Sequence, residues 1–443
     1  MHESTVARIV DAISPAAQSL RGVDGDEARR LLLSDDPSAV LGIEGSFALY
    51  ARDGEVVRLA RSLDRPLRYF LAKEADGPML VVSDRIDAIR DVLEREGYAD
   101  QFHPSYTRMV PAHHVTEIRL VGCPDPNPVH RRFFDPPRDT LPADVDVIGR
   151  AYVGALLDEV RATLESIPEG EPLGVLFSGG IDSGAVLLAT YRTLLDMGQS
   201  PSRLKAFTLS VDGGGEDAVQ ARAFLSAVDL GMLGETVDVS RSRVAPLRAV
   251  EVIEDYKPLD VECAAVALAL LQGIRDRYPT WRHLLDGDGG DENLKDYPIE
   301  ENTELTIRSV VNNRMLYHEG WGVDAMKHSL TYSGGQSRGC VRGYAPASLQ
   351  GFALASPLSS PRVIAVSEAI PFRDLTNGSH ETLYNLKGQV VASGIRQLLE
   401  IDMPVFPKRR FQHGAADARA TAALFADELG YRRHFEDLHA ARV

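Results

Sequence analysis

The chain is poor in cysteine, in cationic residues and in long apolar runs, and each shortage removes a class of protein. Its three cysteines, Cys123, Cys263 and Cys340, form no CxxC pair and are odd in number. Neither a disulfide framework nor a zinc site is expected, and a reducing cytoplasm is the natural compartment. Lysine and arginine total 48 against 64 aspartates and glutamates, a formal net charge of −16. That balance repels a phosphate backbone, so a nucleic-acid partner is not expected, and small or zwitterionic substrates fit better. No stretch approaches the roughly 18 apolar residues of a membrane span. The start, Met1-His2-Glu3-Ser4, has an acidic residue and no apolar core of a signal peptide. Neither a membrane partner nor export is expected. In that setting the sequon Asn377-Gly378-Ser379 reads as a turn.

What is present is the composition of a globular protein, with 44% hydrophobic and 25% charged residues. A length of 443 residues suits two domains. Residues 5–32 carry apolar positions at helical spacing (Val6, Ile9, Val10, Ile13, then Ala28, Leu31, Leu32), which predicts two short helices. From Ser46 short apolar runs follow, Phe47–Tyr50, Val56–Ala60, Tyr69–Leu71 and Met79–Val82, and predict an antiparallel sheet. Gly122–Leu141, with five prolines and no apolar period, reads as the boundary between a domain over 1–140 and one over 141–443. Beyond it, helices over 145–166 and 183–197 alternate with strands Gly174–Phe177 and Lys205–Ser210, the order of a parallel α/β sheet. A further strand, His283–Leu285, precedes a remainder that reads mainly helical.

The strand ending at Phe177 runs into Ser178-Gly179-Gly180-Ile181-Asp182-Ser183 and then a helix. Backbone N–H groups and a helix N-terminus around one point make an anion cradle, and Ser178 and Ser183 add hydroxyls. Ser-Gly-Gly alone also serves as a plain tight turn. Asp182 tips the balance, because a carboxylate beside phosphate needs a divalent cation between them, so Asp182 is a candidate Mg²⁺ ligand. A Walker loop is excluded by the absence of Lys-Ser/Thr, and a dinucleotide fingerprint by the absence of G-x-G-x-x-G. The second glycine run, Gly287-Asp288-Gly289-Gly290-Asp291-Glu292, packs three carboxylates after a strand. An acidic surface turn is the plain alternative. Asp291 is a candidate second Mg²⁺ contact and Asp288 a candidate base for an attacking amine. Gly213–Gly215 and Ser333-Gly334-Gly335 read as flexible turns. Pro407–His413 gathers Lys408, Arg409 and Arg410, either a solvated basic face or cations placed where pyrophosphate leaves; His413 reads as a surface histidine.

Together these residues resemble the asparagine synthetase and β-lactam synthetase group of PP-loop ATP pyrophosphatases. The resemblance implies a C-terminal PP-loop α/β domain whose Ser178–Ser183 motif binds pyrophosphate, with Asp182 and Asp291 meeting magnesium. It also implies that Leu209 and Ser210 line the adenine pocket, that Gly287 belongs to the second signature and that Asp288 occupies a variable catalytic position. Lys408, in Lys-x-x-Phe, matches the lysine that stabilises adenylation and acyl transfer. Val252–Pro258 looks like the acidic segment before a long helix. Gly45–Tyr50, Pro66–Phe70 and Val82–Arg85 are similar to the glutaminase domain of these enzymes, a smaller α+β Ntn-hydrolase-like unit. Position 2 is His2 in place of the nucleophilic cysteine, and the region before Gly45 is short, so a truncated remnant that makes no ammonia is expected. Lys295-Asp296-Tyr297 stands where Gly-Gly-Tyr is usual, and serine replaces an aspartate around Pro357-Leu358-Ser359.

The expected activity is an AMP-forming ligase: ATP and Mg²⁺ adenylate a carboxylate, and ammonia or an amine, free or on the same molecule, displaces AMP. A PP-loop enzyme for sulfur transfer and an inactive scaffold are the alternatives, and a homodimer stays open as the assembly.

Overall fold

Alternating side chains decide the architecture of the N-terminal half. The computed structural model describes residues 8–15, 19–74, 78–119, 128–297, 299, 306–312, 340–406, 414–415, 424–425 and 428–440. Strands β1 (Arg8–Ala12), β6 (Arg68–Ala72), β7 (Met79–Ser83) and β8 (Arg108–Met109) form one sheet in the order β1-β7-β6-β8. Strands β4 (Ala48–Asp53), β5 (Val56–Arg61), β9 (His114–Arg119) and β10 (Val129–Arg132) form a second, β10-β9-β5-β4. Short β2 (Ser19–Arg21) and β3 (Glu44–Ser46) pair beside them. Leu80 and Val82 of β7 join Val57, Leu59 and Ile118 in a core between the two sheets. The alternate residues Met79 and Val81 meet Ile89, Val92 and Leu93 of helix α2 (Ile86–Glu96). Leu49 and Ala51 of β4 meet Ala28 and Leu32 of helix α1 (Gly25–Leu32). The period-2 pattern thus stacks helix, sheet, sheet and helix as four layers.

Two sequence expectations are corrected here. The first predicted helix is strand β1, where β-branched Ile9 and Val10 pair in parallel with Leu80 and Val81; tertiary pairing overrides a helical spacing that short apolar runs satisfy by accident. The β1–β7 pair is parallel, so the half is not wholly antiparallel. Strand β10 lies inside the proline-rich stretch and pairs with β9 of the N-terminal half.

The C-terminal half holds a five-stranded, all-parallel sheet: β11 (Leu173–Leu176), β12 (Leu204–Val211), β13 (Gly234–Val239), β14 (His283–Leu285) and β15 (Ala353–Ala355), in the order β13-β12-β11-β14-β15. Helices α3 (Val145–Glu165), α4 (Ile181–Asp196) and α5 (Asp217–Ala227), with the helix His380–Leu399, share one core with Leu173, Val175 and Ala206. Helices α6 (Pro246–Ile253) and α7 (Pro258–Arg277) pack the other face, against Phe207, Leu209 and Val211. Strand β15, only three residues long, sits in the tail expected to be mainly helical. The sequon residues are a turn, as expected: Asn377 and Gly378 adopt positive φ and Ser379 caps the helix His380–Leu399. Among the described residues no helix is long and apolar enough to cross a membrane.

The strand order fixes where a ligand fits. From β11 the chain builds outward to β12 and β13, then returns to place β14 and β15 on the other side. The crevice at the carboxyl ends of β11 and β14 is the switch point of such a sheet.

Candidate active site at the strand switch point

Both glycine-rich loops leave the sheet at that crevice, because β11 and β14 are hydrogen-bonded neighbours. The end of β11 is held by the Phe177 N–H on Phe207 O at 2.8 Å and by the Thr208 hydroxyl on Phe177 O at 2.7 Å. Gly179 has φ +77°, and a Cβ there would lie 2.7 Å from the Ala221 amide of α5, so only glycine lets the loop turn against that helix. Helix α4 starts at Ile181, two residues earlier than its sequence suggests, and puts Asp182 and Ser183 in its first turn. Its N-cap, Gly180, supplies no side-chain hydrogen bond, leaving first-turn donors to an anion. Ser178 Oγ meets the Gly180 N–H at 3.3 Å and Ser183 Oγ at 3.4 Å.

Across the crevice, Gly287 packs against the Ser183 amide, and Gly290 opens the short helix α8 (Gly290–Asn293) against the Asp182 carboxylate, where a Cβ would collide. Asp182 and Asp291 are brought together, and the group between them is Lys387, which the sequence did not single out. Its Nζ donates to Asp182 Oδ2 at 2.5 Å and to Asp291 Oδ1, and stands 3.4 Å from Asp296 Oδ2. The Lys387 side chain is 3% exposed. Burial works against its charge, yet Asp182, Asp291 and Asp296 outweigh it and hold the ammonium well above the usual lysine range. One signal for Lys387 is legible afterwards: it lies on the helix face of Leu383, Leu386, Val390 and Val391, where an apolar residue belongs. Close packing of that helix on α3 at Gly149 and Gly394 fixes its depth. The departure Lys295-Asp296-Tyr297 acquires a meaning: Lys295 takes φ +55°, a glycine-like turn, and Asp296 becomes the third carboxylate around Lys387.

Asp288 lies deeper, beside Asp286. The Asp288 N–H donates to Asp286 Oδ1 at 3.2 Å, and the Ser359 hydroxyl donates to Asp288 O at 3.0 Å. Ser359 thus holds this loop through its backbone. Burial first, then Asp286, pushes the Asp288 carboxyl well above the usual carboxylate range, and burial pushes Asp286 up to about 6. Arg342, also missed by sequence reasoning, faces Asp288, Asp260 and Glu292, with its Nε 3.6 Å from Asp260 Oδ1.

Leu209 and Ser210 sit at the carboxyl end of β12, next to β11. Leu209 is buried in the core and the Ser210 hydroxyl donates to Asp238 Oδ1 at 2.8 Å. Lys408, His413 and Ser333-Gly334-Gly335 lie outside the described residues. Gly388, next to Lys387, faces Val405, and Gly414 faces the Asp217 carboxylate at the start of α5.

Asp182 and Asp291 are the carboxylates that would hold a divalent cation at this site. The point on which Asp182 Oδ2 and Asp291 Oδ1 converge is the Lys387 ammonium itself, so a cation bound by these residues would need their other oxygens or a shift of that lysine. No group of three or more His, Cys, Asp or Glu poised for a metal occurs among the described residues. A magnesium ion bound there would take its remaining ligands from phosphates and water, as that ion prefers.

A five-stranded parallel sheet with a glycine-rich loop and paired carboxylates at its switch point has the architecture of a PP-loop-like α/β domain. Residues 155–337, less than half of the chain but containing both loops, match the family model for asparagine synthase. That family uses ATP, and the match supports an ATP-dependent, amide-forming ligase. No curated protein matches the chain.

Proposed function

We propose that the protein adenylates a carboxylate with ATP and passes the acyl group to ammonia or an amine without hydrolysing glutamine. The convergence of Asp182 and Asp291 on Lys387, at the ends of neighbouring strands, carries this reading. The β- and γ-phosphates lie on Gly179, Gly180 and the start of α4, and Lys387 offsets charge that grows on pyrophosphate as it leaves. Magnesium held by Asp182 and Asp291 supplies further charge neutralisation there. A substrate carboxylate oxygen bonds to the α-phosphorus while the bond from that phosphorus to pyrophosphate breaks. An amine then attacks the acyl carbon, the carbon–nitrogen bond forms, and AMP departs with the former carboxylate oxygen. The amine's proton passes to Asp288, which serves as a base only when ionised, so turnover rises with pH through the raised titration of the Asp286–Asp288 pair. Lys408 is assigned the same stabilising role in both transition states.

The N-terminal half is read as an Ntn-type unit that makes no ammonia; its four layers support the Ntn-type part of that reading. Sulfur transfer is disfavoured by Cys263, which is 3% exposed and whose thiol burial pushes up to about 11, the reverse of an activated thiolate. Pyrophosphate release with ATP, Mg²⁺ and a panel of amino and hydroxy acids tests the proposal. Acid-dependent release that Asp182→Asn abolishes is expected; no release with any acid, together with no ATP binding, overturns it.

A further inference from the structure

Three fully buried arginines, Arg61, Arg65 and Arg68, stand in the N-terminal half, and one of them reaches the other half. The Arg65 guanidinium lies over the ring of Tyr344, 5.5 Å from its centroid, at an interaction distance for a cation and an aromatic face. Its remaining partners are few: Nη2 donates to Asp84 Oδ2 at 3.3 Å and Ser14 O at 3.4 Å, while Nε and Nη1 make no hydrogen bond. The preceding residue, Asp64, bears electrostatically on Asp286.

Tyr344 ends a π-helical turn, Cys340–Tyr344, a wide turn that departs from the α-helical ladder and is frequent at functional sites. The residues before it reach the candidate site. Arg342 faces Asp260 and Asp288, and Gly343 lies so close to the carboxylates that a Cβ on it would stand 2.8 Å from Asp286 Oδ2 and 3.2 Å from Asp288 Oδ2. A single turn therefore touches Arg65 with one residue and the Asp286–Asp288 pair with its neighbours.

We infer that Arg65 is a positioning residue for the acyl-transfer site: through Tyr344 it clamps the turn that sets Arg342 and Gly343 against Asp288. The N-terminal half then contributes to the reaction without performing chemistry of its own. This rests on the ligase reading above. The clamp acts through the turn that meets Asp286 and Asp288, so its loss is expected on the acyl-transfer side.

The test uses the full chain and four variants, Arg65→Met, Arg65→Lys, Tyr344→Leu and Tyr344→Phe, with steady-state pyrophosphate release and hydrogen exchange of peptides spanning 340–349 and 178–190. Arg65→Met and Tyr344→Leu are expected to lower kcat about tenfold to a hundredfold with KM for ATP unchanged. They are also expected to exchange faster over 340–349 and no faster over 178–190. Arg65→Lys and Tyr344→Phe, which keep the charge and the ring, retain most of the activity. Wild-type kcat and wild-type exchange in a folded Arg65→Met overturn the proposal, as does an equal loss in Tyr344→Phe and Tyr344→Leu. Should Arg65→Met not fold, Tyr344→Leu carries the decision. Should the wild type release no pyrophosphate, the ligase reading fails by itself, and unchanged exchange over 340–349 in the variants then rejects the clamp.

Discussion

At the scale of single residues, the site is governed by charges that cannot be buried alone. Lys387 is surrounded by three carboxylates, and replacing it with methionine removes the buried ammonium that pairs with them. Lys387→Met is expected to cost about 3 kcal/mol in unfolding measurements, at the low end for a broken buried pair because Asp291 is partly exposed. The same variant lowers pyrophosphate release by about two orders of magnitude, since a fixed charge aimed at the leaving group is lost. Asp255 makes an opposite case. Its Oδ1 accepts from the Tyr256 and Lys257 amides, its Oδ2 has no hydrogen bond, and burial followed by Asp260 pushes its carboxyl up to about 6. A carboxyl raised in the fold favours the protonated form, so its penalty is absent near pH 4 and complete above pH 6. Asp255→Asn keeps the accepting oxygen and cannot ionise. It is expected to raise the melting temperature at pH 8, by an amount worth up to about 3 kcal/mol, with the gain fading toward pH 4. Equal melting temperatures at pH 8 contradict the assignment. Cys263 and Cys340 changed together to alanine should leave turnover intact.

Elements explain what the sequence made legible. The Ser178–Ser183 and Gly287–Asp291 loops were readable because an anion cradle after a strand needs its glycines and carboxylates within a few consecutive residues. Lys387 belongs to the same cluster yet stands 205 residues from Asp182 and 96 from Asp291 on a helix with no local signature. Arg342 is hidden for the same reason. Strand β15 is too short for its alternation to show, and β1 satisfies a helical spacing while its partner β7 decides otherwise. The turn Cys340–Tyr344 joins the second loop, at Asp286 and Asp288, to Arg65 of the N-terminal half. Gly343→Ala places a methyl group against the Asp286 and Asp288 carboxylates, and the shift this forces should lower kcat with little change in KM for ATP. A variant that raises KM for ATP in place of lowering kcat contradicts the separation of the two loops.

At the scale of the whole molecule, the two halves complete one another's polar groups. Helix α2 has no side-chain cap of its own. Its Ile86 and Asp87 amides donate to Glu254, at the end of α6, at 2.8 and 2.9 Å, and Arg85 donates to Val252 O at 3.0 Å. Arg21 meets Glu159 of α3 at 2.5 Å, and Arg90 donates to Leu438 O at 2.7 Å. Expressing residues 141–443 alone strips Glu254 and Glu159 of these partners, and the fragment is expected to be insoluble or to melt well below the full chain. A soluble fragment with full activity contradicts the dependence. The most direct measurement of the central claim follows an oxygen atom. An acid that supports turnover is labelled with ¹⁸O in its carboxylate, and the products are examined by mass spectrometry. If Asp182, Asp291 and Lys387 serve carboxylate adenylation, one labelled oxygen appears in AMP; label found in inorganic phosphate or pyrophosphate, or in neither product, contradicts it.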